Sequence, residues 1–505
     1  MVISGEQEKR RRRCGITELP DCIMESIVSL LPLKDAVNTI LASPPHWKTL
    51  SHPTILTRRN LELNYFNVFG SKSRGKGPLD GCMQLQQCRQ CRDFSRRVSK
   101  YLQQYQGIKV DSFRLQCRSP VDVESHVSLD EWIRFAIRKG VEELHLTLLV
   151  LPSVFVCPSV YVFPPSLHVA STSNLKHLSL ESCKLRHAAD FGQLTTLSLR
   201  EVVFDQSLMP NLFSVCVLLE SLTLNRCRIQ AGPLVAGDRL THLKVIHCEE
   251  GTKTEIRALN LASLEYIPYF KCSSFYIKAP QLTRIFFSNR RVSETLVPQE
   301  LMQFALCPGL ETLHLHITLR SPRSSSIPTY GNLKQLNLDI DVSLMQDIVD
   351  VNFVLDLLEA APYLEELVII LIYGDCSKLN QREIRNHSGF TNDHLRMVKL
   401  LGLKGYWYET ELAICILEIS PKLEMLVIDE LRRFYLGDGK FRQVCQSNFS
   451  LQRRLENELA LVGGAPPAAE GEADENNERD ASQEEDEESE PDAPISACDR
   501  MNEIV

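Results

Sequence analysis

The sequence has no GxSxG elbow, no P-loop and no HExxH pair, so local signatures of a hydrolase, a phosphate-handling enzyme and a zinc protease are missing. Its 13 histidines are spread without a companion Ser or Cys nucleophile motif. Nor is there a run of roughly 20 uninterrupted apolar residues, the length a membrane span requires. The most apolar stretch, LTLLVLPSVFVCPSVYVFPP ending at Pro165, is broken by prolines and serines. A tight cysteine framework is lacking too. The 17 cysteines are odd in number and scattered, which fits reduced thiols better than a secreted disulfide scaffold. The opening MVISGEQEKRRRR is charged with no apolar segment behind it, unlike a secretory signal. These absences lead to the expectation of a soluble, cytoplasmic and/or nuclear protein that contacts no membrane.

Charge is present but unevenly placed. The formal net charge is −8, yet the segment Glu470 to Asp492 alone carries about −12, leaving the rest of the chain near +4. That balance is too weak to imply a nucleic-acid surface. The acidic segment holds too few apolar residues to offset its ordering entropy and is expected to be disordered. The basic run Glu8–Arg13 reads as a nuclear import signal or as a solvated terminus.

Near the start, LPDCIMESIVSLLPLKDAV (Leu19–Val37) predicts two short helices. Proline suits the first helical position, and Asp21 and Glu25 favour the positive end of the dipole. Ile23, Ile27, Leu30 and Leu31 recur at helical spacing, which predicts one apolar face, and Pro32 ends the helix. A second helix over Lys34–Ala42 carries Val37, Ile40 and Leu41, and Pro44-Pro45 opens a third turn with Trp47 and Leu50. Past the flexible GSKSRGKGPLDG segment, Phe94, Val98, Tyr101, Leu102 and Tyr105 keep helical spacing. Ser128 with Glu131 three residues on reads as a capping box opening another helix.

From Val141 onward the dominant signal is repetition. LKHLSLESCKL from Leu175, LTTLSLREVVF from Leu194, LESLTLNRCRI from Leu219 and LTHLKVIHCEE from Leu240 share the pattern LxxLxL. Weaker copies begin at Leu264 and Leu282, and clear ones return at Leu310, Leu333, Leu364, Leu395 and Leu423. That makes about twelve units at irregular intervals of roughly 18 to 34 residues, the pattern of leucine-rich repeats. One unit forms a short strand that cannot cover its own apolar side, so stacked units share a continuous core. Cys183, Cys227 and Cys248 fall three residues after the last apolar residue of the strand motif, where a small side chain turns the chain inward. His177 and His242 sit on the alternate face, available to a partner. The longer inserts at Ser288–Glu300, Arg320–Tyr330 and Tyr373–Asp393 suggest that the later repeats take part in recognition.

Two further groups carry side chains capable of chemistry or contact. Cys82, Cys88 and Cys91 lack a second close ligand pair, so no metal site is expected from them. Tyr406, Trp407 and Tyr408 precede a helix and read as a loop packed on the last repeats. No catalytic residue and no cofactor is assigned.

Leu19-Pro20, Ile23, Ile27, Leu30-Leu31-Pro32-Leu33, Asp35-Ala36-Val37 and Trp47 together resemble an F-box. With DEWIRFAIRKGVEELHL, the repeats and the closing HLRMVKLLGLKGYWYETELAICILEISPKLEMLVID, the chain resembles plant F-box proteins that carry leucine-rich repeats and a C-terminal FBD segment. The third element departs from the family, reading Ser43-Pro44-Pro45-His46-Trp47. The resemblance implies a non-catalytic substrate-recognition subunit of an SCF-type ubiquitin ligase. It implies docking on a Skp-type adaptor through Leu19, Pro20, Ile23, Ile27, Leu30, Leu31, Pro32 and Leu33. Cullin and RING subunits would join through that adaptor, and the repeats would hold a protein substrate whose identity and binding residues are unknown. The alternative is a repeat scaffold or inhibitor not assembled into a ligase.

The expected architecture is α/β: a small helical F-box, then a curved repeat solenoid with parallel strands on its concave face, then a disordered acidic tail. The segments are a basic disordered N-terminus (1–14), the F-box (15–64), a linker and helical cap (65–138), leucine-rich repeats (139–390), FBD-like terminal repeats (391–440), and a terminal helix with acidic tail (441–505).

Overall fold

The computed structural model describes residues 20–42, 54–70, 84–118, 123–149, 160–163, 174–186, 191–204, 208–228, 234–235, 237–248, 253–268, 274–288, 297–318, 327–341, 352–372, 390–429, 432–437 and 440–444. All of them lie in one compact unit, Met1–Leu459. The basic start, Leu19, the Pro44-Pro45 turn, most of the long inserts and the acidic segment fall outside the described residues.

The chain enters through α1 (Asp21–Leu30), whose first amides close onto the proline before it: Ile23 N and Met24 N donate to Pro20 O at 3.0 and 3.1 Å. Its end is dictated by Pro32. The residue before a proline is driven out of the helical region, and Leu31 is extended at φ −73°, ψ 150°. The carbonyl of Pro32 then accepts from Ala36 N and opens α2 (Leu33–Ala42).

Fourteen strands follow in one sheet, every neighbouring pair parallel and the spatial order identical to the chain order. They are Asn60–Leu63, Ser112–Arg118, Glu143–Leu149, His177–Glu181, Thr196–Arg200, Ser221–Asn225, His242–Ile246, Ser263–Ile267, Arg284–Ser288, Thr312–Thr318, Gln335–Asp341, Glu366–Ile372, Met397–Leu401 and Met425–Asp429. The last twelve coincide with the repeat units read from the sequence. The first two come earlier than expected, since the sheet begins at Asn60 and takes Ser112–Arg118 from the segment read as a helical cap. Phe113 and Leu115 alternate with polar residues as the later leucines do, but Val110 and Phe113 stand where most units carry leucine.

In-register pairing stacks the second and third leucines of each motif into two columns. One runs Leu144, Leu178, Leu197, Leu222, Leu243, Leu264; the other runs Leu146, Leu180, Leu199, Leu224, Val245, Tyr266. All are buried, and each such side chain contributes roughly 1.5–3 kcal/mol by leaving water. The strand-ending corner repeats as well. Ser182, Glu201, Arg226 and His247 take positive φ of 57°, 54°, 52° and 49°, and the next residue, Cys183, Val202, Cys227 or Cys248, turns into the core. The small side chains expected at the three cysteine positions are therefore core side chains. The far side of the core is closed by short parallel strands such as Lys253–Arg257 and Ser274–Lys278, and by helices such as Val297–Ala305, Asn352–Ala360 and Trp407–Ile419.

Between the first two strands lie α3 (Tyr65–Phe69) and α4 (Gln84–Gln104), and α5 (Val123–Arg138) precedes the third. The capping box expected at Ser128 is not a helix start, because α5 already begins at Val123 and Ser128 lies inside it. Phe94, Val98 and Leu102 of α4 pack in the core as their spacing implied, Phe94 stacking on Tyr65 with ring centroids 4.9 Å apart.

Candidate functional site

The apolar face expected on α1 is divided between two sides. Met24 and Val28 point inward, and Val28 joins Ala36 and Ile55 in a small core of its own. Ile23 and Leu30 point outward, 45% and 86% exposed, and on α2 Val37 is 39% exposed. Ile27, Leu31, Pro32 and Leu33 are half-buried, Pro20 is exposed, and Leu19 lies outside the described residues. Leu31 and Leu33 lean on the small core. Six of the eight sequence-nominated residues, Pro20 through Leu31 and on to Pro32, thus line or border an uncovered surface, while Leu33 also packs against the main core. Inward-facing Met24, Val28 and Ala36 are what the periodicity did not single out.

A half-buried side chain ties the end of α1 to the segment that leads into the first strand. Arg58, between helical residues 54–56 and the first strand, donates from Nη2 to Val28 O at 2.5 Å and from Nη1 to Leu31 O at 3.1 Å. A guanidinium there adds a second donor to Val28 O, which already accepts from Leu31 N, and meets the negative end of the α1 dipole. Burial lowers the guanidinium pKa, opposed by the neighbouring Tyr101. Tyr101 Oη donates to Ile55 O and Tyr105 Oη to Arg58 O, both at 2.8 Å. Gly70, at φ 87°, lets α2 approach closely: a Cβ there would stand 2.7 Å from Asp35 Oδ1.

The sheet offers a second surface on the side away from the core. Its first half is polar and half-exposed, with His145, Ser179, Ser198, Thr223 and Lys244 in one in-register row, and His177 and His242 in the row before it. Beyond Ser263 the same face is mixed: Arg284 and Gln335 stay exposed at the start of their strands, while positions farther along several strands are enclosed. Glu265, Phe286, His314 and Asp339 are buried, with His314 Nε2 3.0 Å from Asp339 Oδ2 and the Phe286 ring centroid 4.5 Å from that of His314. Further along, Ile370, Ile372 and Leu401 form a separate apolar cluster, and strand Arg432–Gly437 lies against Glu366–Ile372.

The residues considered for chemistry are apart or enclosed. Cys82 and the Cys88 side chain fall outside the described residues; Cys91 accepts from Tyr65 Oη at 3.7 Å, and Cys117 is buried, its thiol pushed up to about 12 by desolvation. Among the described residues no group of three His, Cys, Asp or Glu side chains is placed to hold a metal ion, and no helix is long and apolar enough to cross a membrane. Tyr408 is buried and stacks with Tyr406 at 5.6 Å, while the Trp407 side chain is outside the described residues. Glu409, also buried, accepts from Gly405 N at 2.6 Å and Tyr406 N at 3.0 Å, fixing the start of the helix in the last repeats.

Residues 101–458 match the family model described as the At1g61320/AtMIF1 LRR domain. The chain belongs to that leucine-rich-repeat family. Among curated relatives of this At1g61320/AtMIF1-type chain, a putative FBD-associated F-box protein of Arabidopsis thaliana, At1g61330, is 21% identical over 81% of this chain and 90% of its own length. The Arabidopsis putative F-box protein At1g49610 is 27% identical over 42% of this chain and 44% of its own length. The Arabidopsis F-box/LRR-repeat protein At3g60040 is 24% identical over 52% of this chain and 57% of its own. The chain spans about half the length of the latter two. Several of these relatives are named as F-box, leucine-rich-repeat and FBD proteins, whereas the family match itself spans residues 101–458 and does not include α1 or α2.

Proposed function

We propose that this chain is the non-catalytic substrate-recognition subunit of an SCF-type ubiquitin ligase. Its α1 and α2 dock a Skp-type adaptor, and through it cullin and RING subunits, while the repeats hold a protein substrate. The observation that carries this reading is the exposure of Leu30 and Ile23 on a helix whose other side is already packed. A chain that needed α1 only as a cap for its solenoid would turn those side chains inward, because each buried one contributes roughly 1.5–3 kcal/mol. Chemistry would then occur on other chains, and this one would raise the effective concentration of substrate lysines near the transfer site. A cytoplasmic and/or nuclear location accompanies the proposal.

Co-purification of the full chain with a purified plant Skp-type adaptor tests it. Binding by the natural chain, and its loss in Ile27→Asp and Leu30→Asp with the fold retained, is the expected result. Adaptor binding that survives both substitutions removes α1 as the docking element.

A further inference from the structure

The main sheet ends at Met425–Asp429, and the chain does not add another strand to it among the described residues. Instead it returns as Arg432–Gly437, which lies against Glu366–Ile372, two strands back in the sheet. Among the described residues this strand pairs only with Lys440–Val444, antiparallel, with a register shift between Tyr435 and Gly437. A two-stranded hairpin is marginal by itself, so this one depends on the surface it lies against.

That surface differs from the polar first half of the same face. Along Glu366–Ile372, Leu367, Ile369 and Leu371 enter the main core, while Ile370 and Ile372 alternate to the other side. There they join Leu401 in a cluster separate from the main core, with Val368 packed against it. In-register pairing sets Asp339 beside Ile370 and Asp341 beside Ile372, and both carboxylates are buried. The patch is therefore apolar with an acidic border. The hairpin strands match it in composition: they hold Phe434, Tyr435 and Phe441 with Arg432, Arg433 and Arg442, and no acid.

Because the cluster is not continuous with the main core, lifting the hairpin breaks local contacts and leaves the stacking of the strands intact. Water reaching Asp339 and Asp341 would solvate their carboxylates and offset part of the apolar burial lost. We propose that the hairpin is a displaceable strap. It holds in cis the place of a partner's extended segment that mixes aromatic or aliphatic side chains with Arg or Lys, and such a segment displaces it from Val368, Ile370, Ile372 and Leu401. That this partner is the ligase substrate rests on the receptor reading above.

The test uses the full chain and a labelled synthetic peptide of residues 432–444. In the natural chain, hydrogen exchange should show amides 432–437 and 440–444 opening at least about a hundredfold more readily than amides 335–341. A full-length variant with residues 432–444 replaced by an equally long Gly/Ser run should keep the exchange pattern of the main sheet and bind the peptide. The natural chain should bind that peptide at least about tenfold more weakly, because its own hairpin competes at high effective concentration. Adding Ile372→Asp to the Gly/Ser variant should also weaken binding at least about tenfold, as should Arg432→Glu, Arg433→Glu and Arg442→Glu together in the peptide. Hairpin amides that open only when the whole sheet opens overturn the proposal. So does a Gly/Ser variant that loses sheet protection, since the hairpin is then a structural element, or one that binds no peptide. Equal binding of the charge-reversed peptide overturns the partner chemistry assigned to the patch. No adaptor enters these measurements, so a chain that fails to bind a Skp-type adaptor defeats the receptor reading and leaves the strap standing.

Discussion

Cys183 and its equivalents show how a small buried side chain, cysteine three times and valine once, serves the repeat corner. A backbone residue at positive φ swings the chain back toward the core, and only a compact side chain fits behind it. Burial pushes the thiols of Cys183 and Cys216 up to about 12, so neither is a nucleophile near neutral pH. Thiol alkylation followed by mass spectrometry should modify the exposed Cys22 in the native protein and reach Cys183, Cys216, Cys227 and Cys248 only after unfolding. At the rim of the sheet, Glu142 accepts from Lys109 Nζ at 2.5 Å and Lys176 Nζ at 2.9 Å, which hold its carboxyl near about 2. Its folded value lies below its ordinary 4.5, so the stability it adds is present above that value and is lost as pH falls toward 2. Melting curves taken across that window should converge for the natural chain and Glu142→Gln at the acid end and separate, slightly, near neutral pH. Corner cysteines were legible in the sequence because their spacing from the strand motif is fixed; the Glu142 network was not, because its lysines come from segments 33 and 34 residues away.

Helix α1 presents the harder reading. Its ten residues include apolar side chains on nearly every side, Ile23, Met24, Ile27, Val28 and Leu30 among them. Periodicity establishes a helix in such a segment but cannot say which side is covered. That choice is made by α2 and by helical residues 54–56, which bury Val28 and leave Leu30 in water. Leu30→Asp should therefore keep the natural melting temperature, whereas Val28→Asp should melt the N-terminal helices by placing an unpaired carboxylate in their core. Arg58 couples this element to the sheet through two carbonyls of the α1 end. Hydrogen exchange on amides 24–31 should accelerate in Arg58→Ala, with the sheet amides unchanged; equal protection in both proteins would show that packing alone holds α1 in place.

At the scale of the molecule, each strand leans only on its neighbours, so stability is close to a sum of local terms. Leu338, fully buried between the strands at Thr312–Thr318 and Glu366–Ile372, is part of the continuous column. Leu338→Ala should lower unfolding stability by about 2–5 kcal/mol in a denaturant titration, with fluorescence and hydrogen-exchange changes concentrated in the adjoining repeats. The twelve LxxLxL units, the parallel α/β architecture and the position of the corner residues were all determined by the sequence, because a repeated two-residue alternation has only one way to stack. Two matters were settled by tertiary structure alone. One is where the sheet begins, since Asn60–Leu63 and Ser112–Arg118 acquire their strand partners from far along the chain. The other is which surfaces stay open: the sheet face is polar and accessible before Ser263 and enclosed only in part beyond it, and α1 keeps Ile23 and Leu30 outside. Exposure is a property of what packs against a residue, and a local pattern of apolar and polar side chains carries no record of that neighbour.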